Sequence, residues 1–219
     1  KAWCAMTAPR SSEAAIRPFV GPFDLCWGLA KQVVDYGVRR VTCAVARGRM
    51  RQVRRNPADL VLRLQRARSV LVVCQGNIIR SPFAAELLRQ KLGATTTVAI
   101  LSAGLEAVPG KPPHPIAIQL AHRRHVDLTL HTASRLTPEA VATSDIIFVM
   151  DAPQLGALRK RFPAAGSKTF LLACLDAQAP LEVHDPFDGD EAVFQTCFNH
   201  ISRVARPIAR ALTTPRENE

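Results

Sequence analysis

Four short apolar runs, each parted from the next by a stretch with helical spacing, constrain what this chain can fold into more than any other feature. The runs are Val70–Val73, Thr97–Leu101, Asp145–Val149 and Lys168–Leu172. Between them Pro82–Leu92, Pro115–His125, Pro138–Thr143 and Pro153–Phe162 read as helices, and Asp190–Leu212 reads as a long final one. Strands apolar on successive residues are covered on both faces, and strands separated by helices run parallel through right-handed crossovers. The expected class is therefore α/β, a four-stranded parallel sheet flanked by helices.

Residues 1–68 differ in kind. They hold 14 Lys/Arg against 4 Asp/Glu, whereas residues 69–219 hold 15 against 14, so nearly all of the net charge of +11 sits in front. The sequence thus reads as a basic extension of unassigned role, 1–68, and a folded domain, 69–219. Segment 29–55 spaces Leu29, Val33, Val34, Val41 and Val45 among arginines as a basic amphipathic helix would, with Gly37 and Gly48 weakening it. Asn56 and Pro57 have the residue types of a helix cap and first turn for a second helix through Leu60, Val61 and Leu64 to Arg68. The near-neutral domain and the lack of interleaved aromatics in the extension argue against a nucleic-acid partner. A solvated or partner-binding face is expected there, with contact to an anionic membrane surface as a further option.

No stretch has the eighteen or more uninterrupted apolar residues of a spanning helix, and Arg10, Glu13, Arg17 and Asp24 break any signal-peptide pattern. The six cysteines lie far apart, without the paired spacing of a zinc site. A cytoplasmic setting, with no metal and no cofactor, is the expectation.

The chemistry lies in Cys74-Gln75-Gly76-Asn77-Ile78-Ile79-Arg80-Ser81-Pro82, between the first strand and its helix. A loop closing from a strand onto a helix can turn successive main-chain amides toward one point, where the helix N-terminus adds its positive dipole end. A dianion fits there. Arg80 can add a planar bidentate fork, and the amides of Gln75, Gly76, Asn77, Ile78 and Ile79 can complete the cradle. Gly76 and Asn77 are types that tolerate left-handed backbone, and Ser81 and Pro82 fit a helix cap and first helical position. The same field favours the thiolate form of Cys74, the nucleophilic form. Asp185, in His184-Asp185-Pro186-Phe187, is a carboxylate in a Pro-fixed loop and can serve as proton donor if the fold brings it to Cys74. Every catalytic candidate lies beyond residue 73, so the extension is expected to serve placement rather than chemistry.

With these motifs the sequence resembles the low-molecular-weight protein tyrosine phosphatases over about residues 69–212. CQGNIIRSP, SAGL at 102–105, SDIIFVMD at 144–151 and HDPF at 184–187 fall in family order. SAGLEAVPGKPPHP is similar to the bacterial branch that acts on tyrosine autokinases controlling exopolysaccharide export. The resemblance implies strand order 2-1-3-4 and hydrolysis of phosphotyrosine through a phosphocysteine. It implies Cys74 as nucleophile, Arg80 as phosphate clamp, Ser81 as the hydroxyl supporting the thiolate, Asn77 as loop-shaping residue, Asp185 as general acid and Phe187 as pocket rim. Two positions depart: Ile79 stands where many relatives carry a second cysteine, and His114 where many carry Asp. The rival reading is a thioredoxin-coupled arsenate reductase, which resembles the same fold and loop. That relay needs two further cysteines, and between Cys74 and Cys197 there is only Cys174. A non-enzymatic anion-binding module would have lost Cys74 or Asp185, and both are present.

Overall fold

The computed structural model describes residues 22–94 and 96–214, with residues 22–36 and Arg39 as backbone only. The chain divides into two compact units, residues 1–38 and 39–219. Of the first, the described part is helical backbone, the beginning of α1 (Pro22–Arg55). Residues 1–21, and the side chains of Leu29, Val33 and Val34 in the amphipathic reading, lie outside the described residues.

The second unit is built on a parallel sheet of β1 (Ser69–Cys74), β2 (Ala99–Gly104), β3 (Ile146–Val149) and β4 (Thr169–Leu171), in order β2-β1-β3-β4. Val70–Val73 and Ile146–Val149 are buried throughout, as strands covered on both faces require. The crossovers carry α3 (Arg80–Leu92), α4 (Pro115–His122), α5 (Pro138–Thr143) and α6 (Ala152–Arg161), and α7 (Glu191–Thr213) closes the chain. Helix α7 packs on α3, where the rings of Phe83 and Phe198 stack with centroids 3.9 Å apart. Because β1 has β2 on one side and β3 on the other, its C-terminal end is the switch point where open α/β sheets bind ligands. Cys74 is the last residue of that strand, in register with Gly104.

The structural division falls earlier than the charge division at residue 68. Met50 on α1, and Leu60 and Leu64 on α2 (Ala58–Arg66), are fully buried in the same core as β1. From Arg39 onward α1 turns Cys43, Ala46, Met50 and Val53 to that core, positions on one helical face. Arg49 Nη1 donates to the Gly166 carbonyl just before β4 (2.6 Å), Leu171 N on β4 donates to Met50 Sδ (3.4 Å), and Arg54 Nη2 donates to the Ala173 carbonyl just after it (2.7 Å). This part of α1 therefore covers the β4 edge, which would otherwise present unpaired main-chain groups.

Local boundaries differ from the sequence reading for identifiable reasons. Pro57 already has helical dihedrals (φ −82°, ψ −4°) and α2 starts without a side-chain cap, so Asn56 is no cap. Helix α4 stops at His122, and the chain reverses through His125 at φ 60°. No described helix is long and apolar enough to cross a membrane.

Candidate active site

The loop after β1 closes around Cys74. Its carbonyls are tied to neighbours: Leu105 N donates to Cys74 O, Glu106 N to Gln75 O and His114 N to Ile78 O, each at 2.9 Å. His131 Nε2 donates to Asn77 O at 2.9 Å. Because a peptide unit is planar, with C=O and N–H opposed, these ties direct the amides of Gln75, Gly76, Ile78 and Ile79 toward the other side, into the loop. Cys74 Sγ accepts from Ser81 Oγ at 3.0 Å and from Asn77 N at 3.2 Å.

Asn77 takes the left-handed backbone (φ 54°) and is fully buried. Its Nδ2 donates to Ser81 Oγ (2.9 Å) and Ser102 Oγ (3.0 Å), and its Oδ1 accepts from Ser134 N (2.8 Å). Gly76, expected to share the left-handed backbone, does not have positive φ, so Asn77 alone makes that turn. The glycine the loop cannot lose is Gly104. A Cβ there would sit 2.8 Å from Gln75 O and 2.9 Å from Asn77 N. Ser81 is not the helix cap either: α3 already begins at Arg80, and the Ser81 hydroxyl is free to serve sulfur.

Arg80 is 2% exposed. Its Nη1 donates to Asp151 Oδ2 (3.3 Å) and to the Val183 carbonyl (3.2 Å), and its Nη2 pairs with Asp185. Asp151 caps α6 by accepting from Gln154 N (2.8 Å). Burial pushes the Asp151 carboxyl above the ordinary carboxylate range, against the opposing pull of the Gln154 amide and the Arg80 guanidinium. Cys74, Arg80, Asp185 and Phe187 line one cleft of about 340 Å³, whose mouth also carries Val108 and Lys111.

His114 has a definite place. It caps α4 by accepting from Ile116 N on Nδ1 (3.3 Å), the service an Asp would give. Its ring lies 4.9 Å from Phe194 and edge-on to Phe187 at 6.2 Å, so it also backs the rim residue. Cys174 and Cys197 are buried, and burial pushes each thiol up to about 12, offset in part by Arg54 and Arg80 respectively.

The fold thus gathers Cys74, Ser81, Arg80, Asp185 and Phe187 around one cleft and leaves His184 exposed. Sequence reasoning missed Ser102, His131 and Asp151 as parts of the site. Ser102 and Asp151 fall within recognisable motifs at strand ends. His131 carries no sequence signal.

Residues 69–218 match the family described as low molecular weight phosphotyrosine protein phosphatase. The chain is 35% identical over 136 residues to a probable low molecular weight protein-tyrosine-phosphatase, EpsP, of Ralstonia nicotianae, covering 62% of this chain and 90% of that protein. The tyrosine phosphatase AmsI of Erwinia amylovora superposes with a TM-score of 0.62 at 31% identity, covering 68% of this chain and 95% of that one. The YwlE arginine phosphatase of Geobacillus stearothermophilus superposes with a TM-score of 0.61 at 28% identity, covering 66% and 92%. These matches use nearly all of the relatives' length, leaving too little in them to hold a counterpart of residues 1–68. The chain belongs to the low molecular weight phosphotyrosine protein phosphatase family.

Proposed function

We propose that the protein hydrolyses phosphotyrosine in a protein substrate through a phosphocysteine intermediate. The observation that carries this is the convergence on one cleft of Cys74 Sγ with its two donors, the loop amides, Arg80 and Asp185. Two donors, Ser81 Oγ and Asn77 N, hold the attacking Cys74 Sγ beside the start of α3. The incoming dianion engages the loop amides and the Arg80 fork, displacing Asp185 toward the bridging oxygen. Cys74 Sγ forms the S–P bond as the P–O bond to the phenol breaks, and the Asp185 proton goes to the departing oxygen. Water then attacks phosphorus, Asp185 takes its proton, and the S–P bond breaks with the Ser81 hydroxyl supporting the returning thiolate.

Apolar Ile78, Val108 and Phe187 among the cleft residues favour a phenyl ring over the polar guanidino group of phosphoarginine, the substrate class named for YwlE. Burial of Cys174 and Cys197 as thiols disfavours the disulfide relay of an arsenate reductase. The resemblance of residues 102–115 to the bacterial branch supports a tyrosine autokinase of exopolysaccharide export as the substrate. Assay of the purified protein on a phosphotyrosine peptide, on phosphoarginine and on arsenate with thioredoxin tests the reading. Turnover of the first is expected; faster phosphoarginine hydrolysis or thioredoxin-linked arsenate reduction would overturn it.

A further inference from the structure

Helix α1 lies outside the portion of the chain that its relatives match, yet two of its arginines reach the segment that carries Asp185. Arg47 forms a bidentate pair with Glu182, Nε to Oε1 at 2.6 Å and Nη2 to Oε2 at 3.3 Å. Arg54 Nη1 donates to the Ala179 carbonyl (2.9 Å), and its Nη2 donates to the Ala173 carbonyl (2.7 Å) with a longer contact to Pro180 O (3.5 Å). Both Nη groups of Arg54 are thus spent on main-chain carbonyls, while its Nε is buried with no hydrogen-bond partner. On the far side, Val183 N donates to Met150 O (2.8 Å), and the Val183 carbonyl accepts from Arg80 (3.2 Å). Asp185 lies three residues beyond Glu182.

We propose that α1 is a strut for the proton-donor loop, with Arg47 and Arg54, through Glu182 and the carbonyls of Ala179 and Pro180, as positioning residues that hold Asp185 over the Cys74 cleft. The segment from Ala179 to Asp185 has no strand or helix of its own, so its geometry is set by what grips it. Arg80 grips it from the phosphate side and α1 from the opposite end. An incoming phosphate competes for Arg80, which leaves α1 as the grip that persists through the reaction. A chain without α1 must hold this loop by other means, so the extension enters the chemistry by placing the acid, not by touching substrate.

The proposal rests on Asp185 being the proton donor, and leaving-group dependence separates the two claims. General acid catalysis is worth roughly 10²- to 10⁴-fold, and a loosened acid loses part of it. In the full chain, Arg54→Ala and Arg47→Ala should each lower kcat/KM toward phenyl phosphate by about tenfold while changing that toward dinitrophenyl phosphate less than about twofold, because an activated phenolate leaves without a proton. The swap of Arg47→Glu with Glu182→Arg should recover much of the phenyl phosphate rate that Arg47→Glu loses. Equal losses on both esters, or none, beside an Asp185→Asn variant that shows the selective loss, would overturn the strut. An Asp185→Asn variant without selectivity would instead overturn the proton donor, and the strut with it. Should Arg54→Ala fail to fold, Arg47→Ala and the swap decide the matter, since the Arg47 side chain is 39% exposed and its loss leaves the core intact.

Discussion

Gly104 and Asn77 meet at the tightest point of the site, and each tolerates little change. Gly104→Ala drives a Cβ into the Gln75 carbonyl and the Asn77 amide, main-chain atoms that cannot rotate away. A displacement of about 1 Å in a reacting group costs on the order of 100-fold, so steady-state assay of Gly104→Ala should show about that loss in kcat with the fold retained by circular dichroism. Oxidation is a second residue-scale matter. Ile79 offers Cys74 no thiol within the loop, and burial holds Cys174 and Cys197 as unreactive thiols, pushed up to about 12. Peroxide should therefore carry Cys74 past sulfenic acid to sulfinic and sulfonic acids, with bound phosphate protecting it and dithiothreitol restoring little activity. Mass spectrometry of the treated protein checks this; a reducible disulfide from Cys74 to Cys174 or Cys197 would contradict it. Cys74, Arg80 and Ser81 were legible as candidates because they share one short strand–loop–helix segment, which is a local signal. The roles of His131 and His114 were not, since one is a contact between loops 54 residues apart and the other a cap made by an unusual residue type.

Asp145 joins two strands at their starts, accepting from Arg68 N (2.8 Å), Ser69 N (2.9 Å) and Ser69 Oγ (3.0 Å). Burial pushes its carboxyl up, but these hydrogen bonds outweigh that and hold it below the ordinary carboxylate range. A carboxyl lowered in the folded state adds stability that is present above its unfolded value and lost as pH falls through its folded one. Urea unfolding should show Asp145→Ala about 1 kcal/mol less stable at pH 7, a modest figure because the residue is exposed, with the gap narrowing below about pH 4. In α1, Gly48 sits mid-helix with nothing within 4 Å of an added Cβ. Gly48→Ala should stabilise the unit by about 0.5–1 kcal/mol, read as a raised denaturant midpoint. Strands and crossovers were legible because apolar runs and helical spacing are local signals. The caps were less so: Asn56 and Ser81 have capping chemistry, but the helices begin where the tertiary frame sets Pro57 and Arg80.

At the scale of the molecule, charge and structure divide the chain at different places, because the charge boundary follows the run of arginines through Arg68 and the structural one follows buried Met50, Leu60 and Leu64. No sequence period announces that a basic helix covers a sheet edge, since three of its contacts there run through Arg49, Arg54 and one thioether. Removal of residues 1–38 should leave the activity of the second unit within about twofold, whereas removal of residues 1–68 strips the β4 edge and a buried face, each exposed Leu costing roughly 1.5–3 kcal/mol. Thermal unfolding and aggregation of the two truncations distinguish these outcomes. The claim on which the rest depends is covalent: phosphoryl passes through Cys74. Rapid acid quench of the full chain during turnover of an aryl phosphate, followed by peptide mass spectrometry, should find one phosphoryl group on Cys74, and Cys74→Ala should show neither the adduct nor turnover. Turnover by Cys74→Ala at the wild-type rate would contradict it.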